Sequence, residues 1–179
     1  MRTVLFTGGS RSGKSGLAQQ WVEAQGARRI YIATAGVHDA EMQARVTRHQ
    51  HQRGAGWQTL EEGFDVARAL QQCAYGCHVI VLDCITLWLT NMMLAGAQDA
   101  AMLQRVDGLV ATVQSVSVPV ALVTNEVGWG VVPESALGRR FRDVAGEANQ
   151  RLAAACDGVV LAVSGLPLAV KGALPQVFR

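Results

Sequence analysis

Eight consecutive residues, Gly8-Gly9-Ser10-Arg11-Ser12-Gly13-Lys14-Ser15, fit the pattern G-x-x-x-x-G-K-[ST]. Glycines let the backbone turn so that several N–H groups converge on phosphate oxygens, and a helix start just beyond adds its partial positive charge. Lys14 would reach the terminal phosphates of a nucleoside triphosphate, and the Ser15 hydroxyl is the expected Mg²⁺ ligand. An ordinary strand-to-helix turn would share the glycines, but it has no need of a lysine and a hydroxyl at these two offsets.

A second acid belongs with such a loop, placed at the end of another apolar strand where a carboxylate can hold the metal's water shell. The run His78-Val79-Ile80-Val81-Leu82-Asp83 supplies one. Asp83 also reads as the cap of the helical stretch that follows, since Asp is favoured there.

A third constellation lies in Asp39–Arg53. Helical spacing puts Arg45, His49 and Arg53 four residues apart on one face. Cations crowded around an imidazole disfavour its protonated form and leave a ring nitrogen available as a nucleophile, while the same arginines can bind an incoming triphosphate. That arrangement suits nucleotidyl transfer to histidine, and the same spacing equally fits a solvated helix whose polar face is basic. His51 points to another face, His38 precedes the helix and His78 opens a strand, so these three read as structural.

The elements that would position these groups alternate along the chain. Short β-branched runs at Thr3–Thr7, Arg29–Ala33, His78–Asp83, Val118–Thr124 and Val159–Ser164 read as strands. Helical stretches fall near Lys14–Gln25, Asp39–Gln52, Phe64–Ala74, Thr86–Ala95, Ala100–Gln114 and Ala136–Ala155. The alternation predicts an α/β fold, a P-loop NTPase with a mostly parallel sheet flanked by helices on both faces. One domain over residues 1–179 is expected, with 166–179 forming a last strand or an extended arm.

Composition narrows the partners. The net charge is +2 and no run of Lys and Arg forms a basic stripe, which argues against nucleic acid. No stretch approaches the roughly 20 apolar residues of a membrane span, and the glycines at Gly8 and Gly9 come too early for a signal peptide. A cytoplasmic location follows as the expectation. Cys73, Cys77, Cys84 and Cys156 contain no C-x-x-C pair and read as reduced thiols. Hydrophobic residues make up 50% of the chain against 17% charged, an excess that a large shared interface would absorb.

Beyond these local signals, the chain resembles the bifunctional adenosylcobinamide kinase / adenosylcobinamide-phosphate guanylyltransferases of cobalamin biosynthesis. The resemblance is carried by Thr7 to Ser15, Tyr31-Ile32-Ala33-Thr34, Glu41-Met42 through Arg45, His49 to Trp57, and Leu82-Asp83-Cys84-Ile85-Thr86 with Thr90-Asn91. It continues in Leu122-Val123-Thr124-Asn125-Glu126-Val127-Gly128, Val132-Pro133-Glu134, Phe141-Arg142-Asp143 and Asn149 to Ala153. It spans about Thr3 to Gly165.

The resemblance implies phosphorylation of adenosylcobinamide by ATP or GTP, then attack of a histidine on GTP and passage of GMP to adenosylcobinamide phosphate. It puts the nucleophile on His49 and the phosphate loop on Gly8, Gly9, Ser10, Arg11, Ser12, Gly13, Lys14 and Ser15. Further nucleotide contacts fall on Ala33, Thr34, Ala35, Gln50, His51, Gln52, Arg53, Glu61 and Asp83, with Mg²⁺ on Ser15 and Asp83. It also implies a homotrimer and a recombinase-like sheet. This chain carries Arg48 and Asp83 where relatives can carry His and Glu. A small-molecule kinase lacking the transferase half would share the loop and Asp83 without needing a reactive histidine. Thr124-Asn125-Glu126-Val127 lacks the Lys and Asp of a guanine-reading switch, and the near-neutral charge argues against a DNA motor.

Overall fold

The computed structural model describes residues 1–35, 54 and 56–179. Among these residues seven strands form one sheet: β1 (Thr3–Gly8), β2 (Arg29–Ala33), β3 (Trp57–Glu61), β4 (Val79–Asp83), β5 (Val120–Val123), β6 (Gly158–Val163) and β7 (Leu166–Lys171). Their order is β3-β2-β4-β5-β1-β6-β7. Every neighbouring pair is parallel except β6 and β7.

The described helices are α1 (Lys14–Glu23), α2 (Val66–Cys73), α3 (Ile85–Leu94), α4 (Asp99–Ser115) and α5 (Ala136–Ala155). They cover both faces because the central strands are apolar throughout and alternate their side chains between two cores. Leu5, Ile80, Leu82, Val120 and Leu122 pack under α2 to α5, with Trp88, Leu109 and Leu152. Val4, Phe6, Val79, Val81, Ala121 and Val123 face α1, with Leu17, Trp21 and Val22. This two-faced parallel sheet is the predicted architecture, and the predicted helices recur within a few residues apart from Asp39–Gln52, which lies outside the described residues.

One strand departs from the sequence reading, and the tail, open there between strand and arm, takes the first of the two. β3 was not foreseen: it is an edge strand, four of its five residues are exposed, and so it lacks the apolar run that marks its neighbours. After β6 the chain turns back at once through Ser164 and Gly165, both with positive φ (52° and 85°), the two-residue turn whose twist suits a hairpin. Residues 166–171 are therefore a last strand, and the end of the chain folds onto the α1 face, where Phe178 meets Phe6 edge-on.

Candidate active site

The phosphate loop leaves β1 through Gly8 and enters α1 through Gly13, at φ of 148° and 95°. Side chains are barred at both places. A Cβ on Gly8 would stand 2.6 Å from the Ala162 carbonyl oxygen, and one on Gly13 would stand 3.0 Å from Gly165 Cα. The β6–β7 turn braces the loop from outside, with Gly165 N–H donating to the Ser12 carbonyl at 2.8 Å. Inside the loop, Ser12 N–H donates to the Gly9 carbonyl at 3.2 Å.

Lys14 lies over this loop, and its ammonium donates to the Gly9 carbonyl at 3.0 Å. It is buried, and burial holds its pKa below the usual lysine range against the opposing attraction of Asp83 and Cys84. A buried cation with one backbone partner is under-compensated, and the terminal phosphates of a nucleotide would supply the missing charge. Ser12 Oγ is buried without a hydrogen-bond partner among the described residues, a second group that a phosphate oxygen would satisfy.

The carboxyl ends of the strands bring the other candidates to the same edge. Glu61, Ala33 and Asp83 stand in one register row across β3, β2 and β4. Asp83 Oδ2 accepts from the Tyr31 hydroxyl at 2.8 Å, and the cap of α3 is Cys84, so Asp83 is left for other work. Its strand parity matches Val79 and Val81, which turns it toward the α1 face where Lys14 sits. Thr34 is fully buried and engages Cys84 in both directions, while Asn91 Nδ2 donates to the Thr34 carbonyl at 2.9 Å and the Gly63 carbonyl at 3.1 Å. Ala35 is partly exposed and Glu61 exposed at this rim.

β5 lies between the loop strand β1 and the Asp83 strand β4. The segment after it ties the whole edge together. Thr124 Oγ1 donates to Asn149 Oδ1 at 2.7 Å, Asn149 Nδ2 donates to the Asn125 carbonyl at 3.1 Å, and Asn125 Nδ2 donates to Thr86 Oγ1 at 2.8 Å. Glu126 N–H donates to the Gly8 carbonyl at 3.1 Å, and Glu126 Oε1 accepts from the Thr7 hydroxyl at 2.5 Å. Sequence reasoning assigned Glu126 no role, although an acid just past an apolar strand is the signal that singled out Asp83.

Gly8 to Ser15, Ala33 to Ala35, Glu61 and Asp83 thus share one end of the sheet. His49, Gln50, His51, Gln52 and Arg53, with Arg45 and His38, lie outside the described residues. His78 accepts from the Arg28 Nε at 3.2 Å, in keeping with a structural part. Among the described residues, no group of three or more His, Cys, Asp or Glu could hold a metal ion. Mg²⁺ on a phosphate needs no such cage: one or two protein ligands, phosphate oxygens and water suffice, and Ser15 and Asp83 are oxygen donors of that kind. No helix among the described residues is long and apolar enough to cross a membrane.

Comparison with known proteins gives a consistent result. The profile of the family described as cobinamide kinase / cobinamide phosphate guanyltransferase matches residues 4–170. The bifunctional adenosylcobalamin biosynthesis protein CobP of Pseudomonas aeruginosa is 41% identical over 172 residues, covering 94% of this chain and 96% of that protein. The bifunctional adenosylcobalamin biosynthesis protein CobU of Salmonella typhimurium is 42% identical over 180 residues, covering 94% and 99%. A solved structure of the P4 protein from bacteriophage phi6 in complex with ADP aligns at TM-score 0.45 and 14% identity, covering 93% of this chain and 53% of that one. With residues 4–170 matched by the family profile and relatives at 41% and 42% identity over 94% of its length, this chain belongs to the cobinamide kinase / cobinamide phosphate guanyltransferase family.

Proposed function

We propose that this chain carries out two successive reactions on a corrinoid: phosphorylation of the adenosylcobinamide hydroxyl by ATP or GTP, then transfer of GMP from GTP to the resulting phosphate, giving adenosylcobinamide-GDP. The observation that carries the reading is the complete phosphate loop, with Lys14 buried against it, in a chain of this family.

For the first reaction the loop's N–H groups and Lys14 hold the donor's phosphates and offset charge that grows on the β–γ bridging oxygen as that bond breaks. Ser15 and Asp83 are the residues that would hold Mg²⁺, which supplies further charge neutralisation at the phosphates when bound. Ala33, Ala35 and Glu61 line the rim beside Asp83. Thr34 supports that rim from behind through Cys84.

For the second reaction His49 attacks the α-phosphorus of GTP, a phosphorus–nitrogen bond forms and pyrophosphate leaves. The substrate phosphate then takes GMP from the histidine. Arg45 and Arg53 would compensate charge on the departing pyrophosphate, with Gln50, His51 and Gln52 near the nucleotide. These assignments rest on the sequence pattern and the family resemblance. The same resemblance, with the apolar composition, supports assembly as a homotrimer, and the chain's length fits a single catalytic domain, taken as cytoplasmic.

The test is incubation of the purified chain with adenosylcobinamide and γ-labelled or α-labelled GTP, with products separated. The account expects γ-label in adenosylcobinamide phosphate, carried on into adenosylcobinamide-GDP, and α-label in adenosylcobinamide-GDP alone. Exclusive appearance of the phosphorylated product would reduce the chain to a kinase.

A further inference from the structure

We infer that Glu126 is the carboxylate that orients the acceptor hydroxyl and takes its proton in the phosphorylation step. The inference rests on the kinase half of the proposed function and adds a residue to it.

Three features of its surroundings point there. Glu126 is bound to the first glycine of the phosphate loop through its own N–H, at 3.1 Å from the Gly8 carbonyl. Its Oε1 accepts from Thr7, the residue immediately before that glycine, at 2.5 Å. Its Oε2 has no hydrogen-bond partner among the described residues, although Glu126 is half-buried. A half-buried carboxylate with one oxygen fixed and the other unengaged, at the mouth of a phosphate loop, is poised to accept from a hydroxyl brought to the terminal phosphate.

Division of labour with Asp83 follows from strand parity. Asp83 shares the parity of Val79 and Val81 and belongs to the α1 face with Lys14. Thr7 shares the parity of Leu5, which faces the opposite core, so the carboxylate it holds stands on the other side of the sheet's edge. Beyond Glu126 the chain is exposed at Val127 and Trp129 among the described residues.

The step balances as an in-line transfer. The acceptor O–H bond breaks toward Glu126, a bond forms from that oxygen to the γ-phosphorus, and the bond from the γ-phosphorus to the β–γ bridging oxygen breaks. The nucleoside diphosphate leaves, and the proton passes from Glu126 to solvent. A positioned base of this kind contributes about 10²- to 10⁴-fold to rate.

The experiment compares wild type, Glu126→Gln and Glu126→Asp for phosphorylation of adenosylcobinamide, with the affinity for a non-hydrolysable ATP analogue measured on each. Gln keeps an oxygen to accept from Thr7, so the loop's brace survives while the proton acceptor is lost. The expected result is a fall in kcat of at least about 10²-fold for Glu126→Gln, with analogue affinity and the KM for ATP within about twofold and partial recovery in Glu126→Asp. A kcat in Glu126→Gln within about threefold of wild type would overturn the assignment, as would a parallel loss of analogue affinity, which marks a merely structural part. Wild type that binds the analogue but phosphorylates nothing would overturn the kinase reading and this assignment with it. Failure confined to the variants would leave the kinase reading standing.

Discussion

Thr34 and Cys84 are locked together in both directions: the Thr34 hydroxyl donates to the Cys84 carbonyl at 2.7 Å and accepts from the Cys84 N–H at 2.8 Å. This closed pair joins the ends of β2 and β4, directly beside Asp83. Thr34→Val keeps the shape but strands the buried Cys84 N–H, at a cost of about 1–3 kcal/mol, while the Cys84 carbonyl keeps the Trp88 N–H as its donor. The expected outcome is a thermal midpoint lower by several degrees, on the scale of about 2–4 °C per kcal/mol for a chain of this size, together with weakened nucleotide binding at the adjoining rim. Differential scanning calorimetry and nucleotide titration check both.

Lys14→Met should separate stability from function. Burial lowers the Lys14 pKa, so in the window just below 10.5 the unfolded chain binds more protons than the folded one, and this group's effect on stability improves as pH rises. Replacing it removes a penalty that is fully present at neutral pH. The variant's thermal midpoint at pH 7 should match or exceed the wild type's, while affinity for a triphosphate falls by about 10²-fold. Midpoints at pH 7 and pH 10 with a binding titration measure it.

The buried thiols act in the opposite direction. Burial pushes Cys84 up to about 11 and Cys156 up to about 12, from an ordinary value of 9.0. Their folded pKa values lie above the unfolded one, so the stability they lend is complete below pH 9 and is lost as pH climbs toward 11 and 12. Cys156→Ala should be less stable than wild type at pH 8, and the gap should narrow at pH 11. Urea midpoints at the two values test the sign.

Much of this site was legible because its signals are local. The loop's residue types dictate its shape: Gly8 and Gly13 occupy the positions where a Cβ would collide, and Lys14 follows at the offset the motif demands. Asp83 was visible because a buried parallel strand is apolar until it reaches the edge where chemistry happens. Glu126 shares the signal of an acid just past an apolar strand, but what ties it to the phosphate loop is Thr7, 119 residues away, and such pairing leaves no trace in spacing. β3 escaped for a related reason, since an edge strand held by backbone bonds to β2 needs no apolar pattern of its own.

The most direct test of the two-reaction account is a covalent one. Wild type incubated with GTP and Mg²⁺, without any corrinoid, should gain the mass of one GMP, attached through a phosphorus–nitrogen bond that is labile in acid and stable in base. Peptide mapping should locate it on His49. His49→Ala should abolish labelling and GMP transfer while phosphorylation of adenosylcobinamide continues, and His51→Ala should still label. A label that survives acid, one that maps to His51, or an unmodified chain after incubation would contradict the account.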